Sequence, residues 1–287
     1  METSAWRVVV LADNGSVKPY APLMTRKLAQ QLQEEIGVKT IPASLAHSDR
    51  ISADRLNGQP VALVKPLLRE LSMSGIEEVI ILPFMLASGG AIHRKLAAEI
   101  EIASNSFPEM KFELTQAILS DSDPNPHPIV PMFVEHIEST IQEKSLDRPR
   151  VILVDHGSPR RESANLRNSV GKQLKDSLGD RIEDLIAASM ERRPEAEYDF
   201  NEPMLKKVLE ESAEERKTIV LARLFLQPGK HSGKKGDVDE ICEEVFRRFP
   251  ELEIHHAPRV FLQKNLIHLL KIRYKEITKL QQSPSDQ

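Results

Sequence analysis

The feature that most constrains this chain is that it repeats itself. Arg150–Asp155 (RVILVD) has the pattern of Arg7–Asp13 (RVVVLAD), and Lys217–Leu226 (KTIVLARLFL) matches Glu77–Met85 (EEVIILPFM). Phe249-Pro250-Glu251 repeats Phe107-Pro108-Glu109 at an offset of 142, and the same offset carries Asn14 onto His156. Solenoid repeats recur every roughly 20–50 residues, so so long a period means a duplicated domain. A chain of 287 residues accommodates two domains of ordinary size. The polar stretch Glu143–Pro149 marks the boundary, which gives halves 1–145 and 146–287.

Within each half, short apolar runs alternate with amphipathic stretches. In the first half the runs Arg7–Ala12, Lys39–Ala43, Glu78–Phe84 and Lys111–Thr115 read as strands. Ala21–Ile36, Val61–Ser72, Ile92–Ser104 and Ile129–Gln142 read as helices. In the second half Arg150–Asp155, Leu185–Ser189 and Lys217–Leu226 repeat the first three strands. Continuous apolar strands between helices are the mark of parallel sheets covered on both faces. The expected fold is α/β: two tandem domains, each a four-stranded parallel sheet flanked by helices. Right-handed crossovers give the spatial order 2-1-3-4, and the winding reverses between strands 1 and 3. Ligands bind doubly wound sheets there, beyond the carboxyl ends of the strands.

Composition narrows the function. The net charge is −4, which argues against a nucleic-acid binder. It divides unevenly: residues 1–148 carry −5 and residues 149–287 carry +1, so an anionic ligand should prefer the second half. The single cysteine, Cys242, excludes an internal disulfide and an iron–sulfur cluster or zinc finger made by this chain alone. No apolar run approaches the roughly 20 residues of a membrane span. Met1–Asp13 lacks a leader pattern, so a cytoplasmic protein is expected, or a plastid stromal one if the chain is a mature form.

The second-half switch point collects chemistry-bearing residues. Strand 1 ends in Asp155-His156-Gly157-Ser158, and strand 3 runs into Leu226-Gln227-Pro228-Gly229-Lys230-His231-Ser232-Gly233. Adjacent strands lie about 4.8 Å apart, so His156 and His231 could reach one ligand atom. Strand 2 ends near Met190-Glu191-Arg192-Arg193, which adds a carboxylate and two guanidinium groups. The other seven histidines, His47, His93, His127, His136, His255, His256 and His268, are assigned ordinary solvated or backbone-bonded roles. Competing motifs fail. Gly229–Lys235 lacks the P-loop spacing, no GxGxxG follows a first strand, and His156-Gly157-Ser158 is not a nucleophile elbow.

VILVDHGSPRRES, followed by LARLFLQPGKHSGKKGDVDEI, resembles the CbiX-type sirohydrochlorin chelatases, in their long two-domain form. These belong with ferrochelatase among the class II, ATP-independent tetrapyrrole chelatases. The HGS after strand 1 and the FLxxGxH before an aspartate-containing helix start carry the resemblance. The first half departs from it: Asn14 stands for the histidine of HGS, Gly90 aligns with His231, and Ala46 with Glu191. It looks like a degenerate copy that completes the cleft. Arg193–Phe200 looks inserted relative to the family, and Asp155 stands where the family more often has glycine.

The resemblance implies insertion of Fe²⁺ or Co²⁺ into sirohydrochlorin, with the metal as substrate and no other cofactor, no ATP and no iron–sulfur cluster. His156 and His231 would bind the metal and accept the pyrrole protons, and Glu191 would assist as acid–base. Ser158, Arg160, Arg192, Arg193 and Lys230 are the expected ring contacts, because sirohydrochlorin carries eight carboxylates. Arg161, Lys234 and Lys235 add to the same basic rim. The partners are a tetrapyrrole and a divalent metal, without nucleic acid or membrane, and the chain is expected to be a monomer with pseudo-twofold halves. The alternative from another class is a tetrapyrrole or metal carrier that keeps the fold without turning over.

Overall fold

The structure is a computed structural model and describes residues 6–120, 123, 125–226 and 236–282. Two compact units result: Met1–Ser120 with Leu266–Gln287, and Asp121–Asn265. They do not coincide with the sequence halves. The helix that ends the first half belongs to the second unit, and the helix that ends the second half belongs mostly to the first.

The first unit runs β1 (Arg7–Asp13), α1 (Tyr20–Ile36), β2 (Thr40–Ser44), β3 (Ala62–Leu63), α2 (Val64–Ser72), β4 (Glu78–Pro83), α3 (Ala91–Ser106) and β5 (Lys111–Leu114). Its parallel sheet has the order β3-β2-β1-β4-β5. This is one strand more than expected. Ala62 and Leu63, read from the sequence as the start of a helix, instead pair with Ala43 and Ser44 at the sheet edge. A two-residue strand leaves no periodicity to read.

The second unit begins with α4 (Val130–Lys144). It continues through β6 (Arg150–Asp155), α5 (Arg161–Leu178), β7 (Leu185–Ser189), α6 (Leu205–Glu214), β8 (Ile219–Arg223), α7 (Asp237–Arg248) and β9 (Ile254–His256). Its sheet has the order β7-β6-β8-β9, the expected 2-1-3-4. The last helix, α8 (Gln263–Gln282), returns to the first unit. There the buried Arg273 donates to the Ala117 and Ile118 carbonyls at 2.6 and 2.9 Å.

Both sheets are buried on two faces, which is why their central strands read as unbroken apolar runs. Val8 to Ala12 and Val151 to Val154 are all 0–1% exposed. Alternation sends Val8, Val10 and Ala12 to one face, where they pack with Leu67, Leu68 and Leu96. Ile152, Val154, Leu205, Leu209 and Val238 form the corresponding core of the second unit. Each fully buried aliphatic side chain of this kind contributes about 1.5–3 kcal/mol. The register places Asp13 beside Ser44, and Asp155 beside Ser189, at the carboxyl edges of the sheets. Among the described residues no helix is long and apolar enough to cross a membrane.

Candidate functional site

The β6–α5 turn is built on two residues, Asp155 and Gly157. Asp155 is 7% exposed, and its Oδ1 accepts the Gly157 N–H at 3.1 Å and the Ser189 hydroxyl at 2.7 Å. A buried carboxylate must find donors of this kind. Gly157 has φ +89°, and a Cβ there would lie 1.9 Å from the Glu191 carbonyl oxygen. Only glycine fits both the left-handed conformation and the close approach. The tight turn brings the end of β6 against the end of β7. The Glu191 N–H donates to the His156 carbonyl at 3.1 Å.

The side chains of the same two residues meet. His156 Nδ1 is 3.5 Å from Glu191 Oε1. A carboxylate on one ring nitrogen orients an imidazole and directs the other nitrogen to a metal. His156 is 39% and Glu191 60% exposed, so the pair is open to a ligand. The sequence expectation that these two share one edge is thus met in the geometry. His231 and Lys230 lie outside the described residues, as do Lys234 and Lys235. Among the described residues no three histidine, cysteine or acidic side chains gather as a metal cage.

The expected ring contacts divide. Ser158 is fixed by its backbone: its N–H donates to Asn201 Oδ1 and its carbonyl accepts from Asn201 Nδ2, both at 2.9 Å. Its hydroxyl accepts the Arg160 N–H at 3.1 Å. The Arg160 guanidinium turns to Glu162, 3.2 Å away. Arg192 pairs with Glu202 at 2.8 Å and Asp199 at 3.0 Å. Arg193 donates to the Tyr198 hydroxyl at 3.0 Å, with its guanidinium carbon 5.2 Å from the ring centroid. Both arginines therefore fasten the segment that looks inserted, whose 3₁₀ turn spans Ala196–Asn201. Arg161 lies over Phe200 of the same segment at 4.9 Å.

Sequence reasoning passed over the residues beneath the turn. Arg167, on α5, is 1% exposed and reaches Asp155 Oδ1 at 3.4 Å, the Ser189 hydroxyl, and the Asn201 carbonyl at 3.2 Å. Asn201 is fully buried. A readable signal existed: the aspartate before the turn glycine and the serine ending strand 2 occur in both halves. A second polar group sits at the end of β8. Arg223 there donates to Asp239 on α7 and to His256 Nδ1 at 2.9 Å. Burial, and secondarily the Arg223 charge, hold the His256 pKa below its ordinary value, as befits an accepting imidazole.

The first unit repeats the turn without the reactive pair. Asp13 Oδ1 accepts the Gly15 N–H at 2.9 Å and the Ser44 hydroxyl at 2.6 Å. Gly15 has φ +88°, and a Cβ there would lie 1.6 Å from the Ala46 carbonyl oxygen. Asn14 thus occupies the place of His156, and Ala46 that of Glu191. The Ser16 N–H donates to the buried Ser48 hydroxyl at 2.9 Å, as Ser158 does to Asn201.

A duplicated doubly wound α/β protein with a histidine turn at one switch point is the class these features define. The CbiX family model matches residues 8–123 and again residues 150–277, and the chain belongs to the CbiX family. No curated protein matches it by sequence. Among solved structures it is similar to SirB from Bacillus subtilis with Fe³⁺, with a TM-score of 0.71 and 12% identity over 94% of each chain. A cobalt complex of the sirohydrochlorin chelatase SirB from B. subtilis subspecies spizizenii aligns with TM-score 0.66 and 11% identity over 95% of each chain. DR2241 from Deinococcus radiodurans, a multi-domain protein with structural similarity to chelatases, aligns with TM-score 0.61 and 14% identity. That alignment covers 94% of this chain and 55% of DR2241. At these identities the likeness is one of fold.

Proposed function

We propose that the chain inserts a divalent metal, Fe²⁺ or Co²⁺, into sirohydrochlorin. The observation that carries this is the His156–Glu191 pair, 3.5 Å apart beyond the carboxyl ends of β6 and β7, beside the switch point of a CbiX-family fold. Insertion moves M²⁺ into the ring and releases two pyrrole protons. Glu191 at Nδ1 directs the metal to Nε2 of His156, and neutral imidazole is a suitable ligand for either ion. Glu191, more than half exposed, passes protons on to water. His231 is assigned the second imidazole from its place in the sequence, and Lys230 a contact with a ring carboxylate. No ATP is required if ring binding energy offsets the distortion that exposes the pyrrole nitrogens.

One observation favours a second reading. Arg192 is held by Asp199 and Glu202, so the segment beside the turn brings carboxylates with its arginines. That charge suits a cation better than an octa-anionic ring, as in a metal carrier that does not turn over. Anaerobic incubation with sirohydrochlorin and Fe²⁺ or Co²⁺, followed by absorbance, separates the two. Multiple turnovers support the chelatase; stoichiometric metal binding without metallated ring supports the carrier.

A further inference from the structure

We propose that Arg167 is a positioning residue, which holds the His156 turn and the inserted segment in register so that His156 and Glu191 face one metal ion. The proposal rests on the reading of His156 as a metal-binding side chain. The chain supplies its own control. Thr25 stands at the corresponding place in the first unit, and its hydroxyl donates to Asp13 Oδ2 at 2.7 Å. A neutral hydroxyl therefore suffices to satisfy this buried aspartate. In the second unit an arginine stands there instead, with a side chain that is 0% exposed. Burying a guanidinium is costly unless it makes several well-placed bonds.

The bonds of Arg167 show what the larger side chain adds. Besides Asp155 and Ser189 it reaches the carbonyls of Asn201 at 3.2 Å and Phe200 at 3.5 Å, and the Asn168 side chain at 3.0 Å. Asn201 grips both backbone groups of Ser158, two residues beyond His156. Arg167 thus ties Asp155, on one side of His156, to the segment that fixes Ser158, on the other. Threonine cannot span that distance. A rigid planar fork can, because its donors diverge.

The test gives the second unit the first unit's solution. In Arg167→Thr the new hydroxyl can still donate to Asp155, so the protein is expected to fold, as far-UV circular dichroism will report. Its affinity for Co²⁺ alone, titrated by absorbance, should fall about tenfold or more, the scale for losing a group that orients a ligand. Turnover with sirohydrochlorin should lose about as much in kcat, with KM within about twofold. Arg167→Lys keeps the charge but not the fork and should recover only part of the loss. A folded threonine variant with wild-type Co²⁺ affinity overturns the proposal. If the threonine variant does not fold, the lysine variant decides: wild-type affinity overturns the proposal and a several-fold loss supports it. His156→Ala is the control on the underlying reading. If it binds Co²⁺ like wild type, that reading fails, and amide exchange judges Arg167 instead. Exchange at Gly157 and Ser158 should then quicken about tenfold in Arg167→Thr while β6 is unchanged; unchanged exchange at both overturns the proposal.

Discussion

The β1–α1 and β6–α5 turns are the same device with different cargo. Each has a buried aspartate accepting from a turn glycine at φ near +90° and from the serine that ends the next strand. Each glycine abuts a carbonyl from the following loop, and each next serine N–H is caught by a buried side chain. What differs is that Asn14, Ala46 and Thr25 in one turn stand where His156, Glu191 and Arg167 stand in the other. The backbone scaffold is therefore separable from the chemistry: a turn of this shape holds whichever residue follows the aspartate at the switch point. Asn14 can donate and accept hydrogen bonds, but it takes up no proton near neutral pH and is a poor ligand for Fe²⁺ or Co²⁺.

The sharpest way to break this comparison is to remove the two aspartates. Asp155→Ala leaves the buried Arg167 guanidinium without its carboxylate and should cost about 3–5 kcal/mol. Asp13→Ala strands only hydroxyls and an amide and should cost about 1–3 kcal/mol. Hydrogen exchange in β6 and β1 measures each unit separately, and Trp6, the only tryptophan, reports on the first. Equal losses would mean that Arg167 does not depend on Asp155, and the two turns would then differ only at the surface.

Next in size is activity. His156→Ala should lower metal insertion by at least about 100-fold, the scale of a positioned proton acceptor, or about 2.7 kcal/mol in barrier. Asn14→Ala should change it by less than about threefold on the same argument. Initial rates under anaerobic conditions decide. An Asn14→Ala protein as inactive as His156→Ala would mean that both turns serve one reaction, and the first would no longer be a degenerate copy.

Most of the frame was legible because apolar strands and a long-period repeat are local patterns. The order β7-β6-β8-β9 follows from right-handed crossovers between the strands read off the sequence, and the nearness of His156 to Glu191 from the pairing of strands 1 and 2 in that order. Of the network beneath them, the repeated aspartate and serine were legible, but Arg167 and Asn201 were not. Arg167 shares a helix face with Ala164, Val170 and Leu174, but in so polar a stretch (RESANLRNSV) that spacing does not say which buried groups its guanidinium meets. Asn201 closes the turn from 43 residues away, a pairing no short-range rule contains. Arg192 and Arg193 are expected ring contacts because a basic pair follows strand 2 beside the cleft, but the residues that hold them were not foreseen. Their partners, Asp199 and Glu202 for Arg192 and Tyr198 for Arg193, lie five to ten residues further along the chain, and only the fold brings them onto the arginines. The exchange of α4 and α8 between units was hidden for a related reason: a repeat in sequence records ancestry, whereas packing decides which sheet a helix covers.

The smallest expected effect tests the charge asymmetry between the turns. Arg192 is a poor probe, because reversing it would also loosen the segment that Glu202 and Asp199 hold. Arg193 is better: it is exposed, and its reversal gives up a surface contact with Tyr198 rather than two ion pairs. An exposed charge acting on a carboxylate contributes at most about 1 kcal/mol. Arg193→Glu should therefore raise KM for sirohydrochlorin about two- to fivefold and leave kcat within about twofold, because a contact made equally in ground and transition states changes binding alone. The rise should shrink as salt increases from about 0.05 to 0.5 M, where the screening length drops to a few ångströms. Arg50, exposed just past the equivalent loop of the first unit, is the matched control, and Arg50→Glu should leave KM unchanged. If both reversals raise KM equally, the ring senses the field of the whole protein. If only Arg193→Glu does, and salt abolishes the effect, the anionic substrate is received at the turn that carries the histidine.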